Sequence, residues 1–157
     1  MNRRNFMGFG VLAMAALPAA LSAFSSIDFR QTKPDAWKAK TVDDAIKALY
    51  GDIKPEEKGV TVKAPKVASN GGAVPVTIKS DIPAKTVALL QNMDPESAVA
   101  VFNVPENGIV DYFLKIKLKA TDENGGNGEI TAILEGTDGK FYKGKVALNV
   151  AKGGCEG

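Results

Sequence analysis

The sequence predicts an all-β chain: an antiparallel immunoglobulin-like β-sandwich of about seven strands, with one short helix before it and a flexible cysteine-bearing arm after it. Three observations predict this. From Lys58 onward the apolar residues recur with a period of two. The segments between these runs carry turn chemistry, in "SNGG" (69–72), "ENG" (106–108), "DENGGNG" (122–128) and "TDGK" (137–140). No helical period falls between the runs, which excludes the alternating pattern of a parallel α/β sheet.

The elements follow in order. Residues 1–22 read as a secretory signal: Arg3 and Arg4 lead an apolar stretch from Phe6 to Ala23 that is broken by Pro18 and ends in small residues. The paired arginines followed by Phe6 resemble a twin-arginine export signal, so the expected destination is the periplasm. Ala20-Leu21-Ser22 offers a cleavage site and sets the mature start near residue 23. An uncleaved anchor helix is the alternative. The run is about 18 residues, marginal for a span, and its proline and small-residue end favour removal, leaving no membrane segment. Residues 23–150 then form the lead-in, helix and β-sandwich domain and 151–157 the C-terminal arm.

Within that domain, residues 24–40 show no clean period and read as an extended lead-in. "TVDDAIKALYG" is a short helix, with Val42, Ala45, Ile46, Leu49 and Tyr50 on one face. Thr41 suits its N-cap, Asp43 and Asp44 its first turn, and Gly51 its C′ position. Seven strand-like runs follow: "GVTVKAP", "AVPVTIKS", "AKTVALLQN", "AVAVFNV", "YFLKIKLKA", "EITAILEG" and "KFYKGKVALNV". In the fifth, Leu114, Ile116 and Leu118 alternate with Lys115, Lys117 and Lys119, the mark of a strand buried on one face. "ENGGNG" is glycine-rich, but it does not join a strand to a helix, so it reads as a hairpin loop and not a phosphate loop.

Composition narrows the chemistry. The 157 residues are 45% apolar and 24% charged, an ordinary globular balance. The formal excess of +2 resides in the leader, since removing Arg3 and Arg4 leaves 18 residues of each sign, with Arg30 the remaining arginine. The lysines are spread along the strands, so no basic patch suggests nucleic acid. There is no histidine, which removes imidazole bases and imidazole metal ligands. One cysteine cannot build a thiolate metal cluster. Asp94, Glu96, Asp122 and Glu123 lack the spacing of a calcium loop and read as solvated loop acids. Neither a metal site nor a catalytic residue is predicted.

What remains is Cys155, in "LNVAKGGCEG". An exported chain lives where disulfides persist, and a lone cysteine there implies intermolecular pairing or a free reactive thiol. A structural cysteine packs like a small hydrophobe, yet Gly153, Gly154 and Gly157 offer it no core. The glycines give the arm conformational freedom, and its five residues 151–155 extend over at most about 16–18 Å.

The twin-arginine leader, "DDAIKALYG", "SNGGAVPVTI", "GEITAILEGTDGKFYKGKVALNV" and the ending "GGC" together resemble SoxY-type sulfur carriers of the bacterial thiosulfate-oxidation (Sox) system. The resemblance covers nearly the whole mature chain. It implies an immunoglobulin-type sandwich bound to a second small β-subunit of the SoxZ type. It implies that Cys155 holds sulfur intermediates covalently and that the chain is not itself an enzyme and has no cofactor of its own. A c-type cytochrome complex would load thiosulfate, a dimanganese hydrolase would release sulfate, and a molybdenum–haem dehydrogenase, where present, would oxidise the remaining sulfur. The family pattern has two glycines after the cysteine; here Glu156 stands in place of the first.

Two other classes stay open on the residues alone. One is a structural module joined to a partner by a lasting disulfide through Cys155. The other is a one-cysteine peroxidase, for which no base or oxyanion donor can be named beside the thiol. The expected contact surface for a partner subunit is the "KALYG" helix or an edge strand.

Overall fold

A computed structural model describes residues 26–151. The sandwich holds eight strands: β1 (Val60–Lys63), β2 (Val67–Ala68), β3 (Val74–Ser80), β4 (Ala84–Gln91), β5 (Ala98–Asn103), β6 (Val110–Ile116), β7 (Asn127–Gly136) and β8 (Phe141–Val150). One sheet has the order β1-β3-β6 and the other β2-β8-β7-β4-β5. The seven predicted runs are all strands. The eighth, β2, is only two residues long and pairs with β8 in parallel, the one departure from antiparallel pairing among these strands.

The inward residues of both sheets form one core, including Val76, Ile78, Val87, Leu89, Ile130, Leu134 and Ile116. The predicted alternation in β6 holds and continues past the strand end: Ile116 and Leu118 are buried while Lys115, Lys117 and Lys119 are exposed. Phe102 of β5 stacks on Tyr112 of β6 at 4.5 Å and closes the seam between the sheets.

The lead-in is not extended. It contains α1 (Phe29–Thr32) and a 3-10 turn (Pro34–Lys38), and the predicted helix follows as α2 (Val42–Tyr50). Asp28 caps α1 by accepting from the backbone of Arg30 and Gln31. Trp37 donates to the Phe29 carbonyl at 3.3 Å and carries the Arg30 guanidinium over its ring at 4.3 Å. In α2, Thr41 accepts from the Asp44 N–H at 3.1 Å and Gly51 ends the helix at φ +80°, as expected. The tertiary reason for these short helices is a second core. Phe29, Ala36, Ala45 and Leu49 pack on Ala88, Leu90 and Ile133, which lie on the outer face of the five-stranded sheet. Helices this short do not stand alone in water; the sheet holds them. The apolar face of α2 is thus spent on its own domain.

The opposite outer face, that of β1-β3-β6, has no such cover among the described residues. Phe113 is 66% exposed there, in register with Thr77 of β3, which is in turn opposite Lys63 of β1. Lys79 and Asp111 pair across the same face at 2.8 Å.

The glycine-rich connections do two different jobs. "TDGK" turns the β7–β8 hairpin with Gly139 at φ +78°. Tyr142 donates to Asp138 at 2.6 Å across it; that bond holds the carboxyl below its usual range and pushes the tyrosine up to about 12. "ENGGNG" is not a hairpin loop, because β6 and β7 belong to different sheets. It carries the chain from one sheet to the other.

Candidate functional site

The predicted site residues Cys155, Gly153, Gly154 and Gly157 lie outside the described residues, as do Arg3 and Arg4 of the export signal. What the structure places is the end of β8 that precedes them, at Asn149–Ala151.

Three segments converge on that strand end. On one flank runs β2, whose parallel register sets Val67 opposite Asn149 and Ala68 opposite Val150. Asn149 N–H donates to the Lys66 carbonyl at 2.9 Å, and Ala151 N–H to the Ala68 carbonyl at 2.9 Å. On the other flank is the turn leading into β7, where Val150 N–H donates to the Gly126 carbonyl at 2.7 Å. Asn149 Nδ2 also donates to Asn127 Oδ1 at 3.1 Å. The third segment is the 3-10 turn Gly71–Ala73, where the Leu118 N–H donates to the Gly71 carbonyl at 2.8 Å. A Cβ at Gly71 would collide with the Leu118 carbonyl and press on the Val150 side chain.

The turn at 121–127 is built around one side chain. Asn124 Oδ1 accepts from Thr121 N–H and Gly126 N–H, each at 2.8 Å, and its Nδ2 donates to the Lys119 carbonyl at 2.9 Å. Gly125 and Gly126 take φ of +60° and +80°, where glycine is favoured. Asn124 and Gly126 were legible in "DENGGNG" only as turn residues. Nothing in the linear sequence said that the turn would grip the last strand.

Beside this strand end lies the β4–β5 loop. Gln91, 1% exposed, donates to the Glu96 carbonyl at 2.7 Å and accepts from the Met93 and Asp94 amides, so one buried amide side chain shapes the loop. Asp94 is half-buried rather than fully solvated. Burial raises its pKa, against the lowering effect of the Lys119 N–H and of Lys117 nearby. Glu96 is exposed, as expected, and pairs with Lys40 at 3.0 Å. Among the described residues no group of three or more acidic or thiol side chains gathers to hold a metal ion. No described helix is long and apolar enough to cross a membrane.

Chemically, the described part of the site offers a hydrogen-bonded strand end and, among the described residues, no thiol. Residues 46–155 match the family model described as "Sulfur oxidation protein SoxY", and this span includes Cys155. The sulfur carrier protein SoxY from Chlorobium limicola f thiosulfatophilum superposes with a TM-score of 0.61 at 26% identity, covering 74% of this chain and 96% of that one. A superoxide reductase (neelaredoxin) from Ignicoccus hospitalis superposes with a TM-score of 0.50 at 13% identity, covering 60% of this chain and 81% of that one, a likeness of fold alone. A search of curated proteins returned no match. With 110 of its 157 residues matched by the family model, the chain belongs to the SoxY family of sulfur oxidation proteins.

Proposed function

We propose that this chain is a covalent sulfur carrier for thiosulfate oxidation, with Cys155 as the attachment point. The observation that carries this reading is a single cysteine, in a chain without histidine, placed four residues beyond Ala151, the last described residue of a SoxY-family sandwich. In the loading step the Cys155 sulfur bonds to the outer sulfur of thiosulfate. One proton and two electrons leave, the electrons to a c-type cytochrome complex. Water then cleaves the bond between the sulfur atoms of the bound group on a dimanganese hydrolase, releasing sulfate and leaving a persulfide. A molybdenum–haem dehydrogenase, where present, oxidises the remaining sulfur. The carrier holds no cofactor of its own and catalyses none of these steps. Covalent attachment keeps the small anion at high effective concentration between them.

Residues 1–22 would serve as a twin-arginine signal that delivers the mature chain, residues 23–150 with the arm 151–157, to the periplasm. Intact mass of the protein isolated from that compartment tests the assignment. Persulfide or thiosulfonate adducts on Cys155 support it; a quantitative dimer lost only on reduction supports the structural-module reading.

The partner subunit is proposed to be a SoxZ-type β-protein docked on the bare face of β1-β3-β6. With α2 buried on the other sheet, this face and the unpaired edge of β6 are open among the described residues. Phe113 is its exposed aromatic anchor, with Ile109, 81% exposed, near the start of the same strand. Phe113→Glu is expected to weaken the heterodimer by about 10–30-fold, while changing the stability of the lone subunit by no more than about 0.5 kcal/mol. Sedimentation of the co-expressed pair reads the first and urea unfolding the second. Unchanged affinity would move the interface elsewhere.

Glu156 sets a second expectation. A carboxylate beside an anionic cargo repels it: at about 6 Å and an effective dielectric near 40, the interaction is roughly 1.4 kcal/mol before salt screening. Glu156→Gly is therefore expected to lower the thiol pKa slightly and to speed loading severalfold at most in low salt, with the gain shrinking at high ionic strength. If a cognate enzyme carries a lysine or arginine matched to Glu156, the same substitution slows turnover with that enzyme alone. Loading rates with cognate and non-cognate enzymes at two salt concentrations separate the outcomes.

A further inference from the structure

Chain ends ordinarily fray unless something ties them down. Here three consecutive amides at the end of β8 are all engaged, alternately from two flanks: Asn149 to Lys66, Val150 to Gly126 and Ala151 to Ala68, at 2.7–2.9 Å. The Val150 side chain is 2% exposed. Gly126 is itself buried, and a Cβ there would collide with the Val150 carbonyl oxygen, so the close approach requires glycine. Asn124 in turn fixes Gly126, accepting its N–H and that of Thr121 on a single oxygen.

We propose that the turn around Asn124 and Gly126 is a clamp that sets where the C-terminal arm begins, making both of them positioning residues for sulfur loading. The proposal rests on the carrier reading of Cys155 and deepens it. Four residues, 152–155, lie beyond the clamped Ala151, the last of them carrying the thiol. If the clamp opened and residues 148–151 came free, the tether would grow to eight. Effective concentration falls roughly as the −3/2 power of tether length, so length alone would cost about threefold. Loss of a fixed starting direction adds to this, because a short tether averages little over angle. The clamp thus lets a short arm present its cargo from one defined point on a rigid body.

The test uses the full mature chain with its partner subunit. Because Cys155 is the sole cysteine, a nitroxide label on it needs no other mutation. In the unmodified protein the Val150 and Ala151 amides are expected to exchange slowly with solvent; fast exchange there would overturn the clamp whatever the variants do. Asn124→Ala and Gly126→Ala should speed that exchange at least tenfold and sharpen the nitroxide line. Enzyme-driven loading should fall about two- to fivefold in kcat/KM, while the rate with a small aromatic disulfide reagent stays unchanged. Asn124→Asp keeps the oxygen that accepts both amides and should restore loading. A freed label with undiminished loading would overturn the positioning role. If the wild-type chain cannot be loaded at all while the exchange and label results hold, the clamp stands and the carrier reading of Cys155 falls.

Discussion

Replacing Cys155 with serine is expected to abolish sulfur loading completely while leaving the fold in place. Thiolate is the nucleophile, and a free thiol titrates at about 8.5, close enough to neutral pH to supply a reactive fraction. A serine hydroxyl supplies none and forms no sulfur–sulfur bond. Among the described residues the end of β8 is held through Ala151 by bonds that do not involve position 155. Stability should therefore change by no more than about 0.5 kcal/mol, as at ordinary surface sites. Thermal unfolding and thiosulfate-dependent turnover of the reconstituted system, measured on the same preparation, check both halves. A large loss of stability would mean that the tail is docked against the domain, and an arm that presents its cargo to several enzymes would have to be abandoned.

Ile133→Ala is expected to do the reverse. Ile133 is fully buried on the outer face of β7, beneath α1 and α2, in the core that also holds Phe29, Leu49 and Leu90. Removing three carbons there leaves a cavity between sheet and helical layer, at a cost of about 2–5 kcal/mol. Against a total stability of roughly 5–15 kcal/mol for a typical domain, that is among the largest losses one substitution can produce. Urea unfolding should show a lower midpoint with little change in slope. Loading per folded molecule should be unaffected, because the arm leaves from the far end of β8 and the substitution touches none of its anchors. A loss below about 1 kcal/mol would show that the helical layer settles into the space, and so that it is loosely held.

The difference between these two sites follows from what each part of the sequence encodes. Strand periodicity is a local property. Leu114, Ile116 and Leu118 declare a buried face whatever lies opposite, and Thr41, Asp44 and Gly51 declare the ends of a helix through bonds to their own neighbours. The lone Cys155 among glycines is likewise a property of composition and not of contacts. These features were enough for the fold class and for the resemblance to sulfur carriers.

Pairing is not local. A period of two says which face of a strand is buried, but not which sheet it joins. Hence "ENGGNG" resembles a hairpin turn in sequence, while in the structure it bridges two sheets and grips Val150. The two residues of β2 are too few to carry any period, and only the neighbouring β8 makes them a strand. The helices of the lead-in were hidden for a related reason. Four- and five-residue segments have no stability of their own and exist because Phe29 and Ala36 find an apolar sheet face to cover. The signal for that cover was present in "TVALL" and "TAIL", continuous apolar runs rather than alternating ones, as strands buried on both faces require. So the sequence by itself determined the strands and the helix caps. Tertiary structure decided which strands pair, which sheet face is covered, and how the end of β8 is held, because those depend on surfaces brought together from distant parts of the chain.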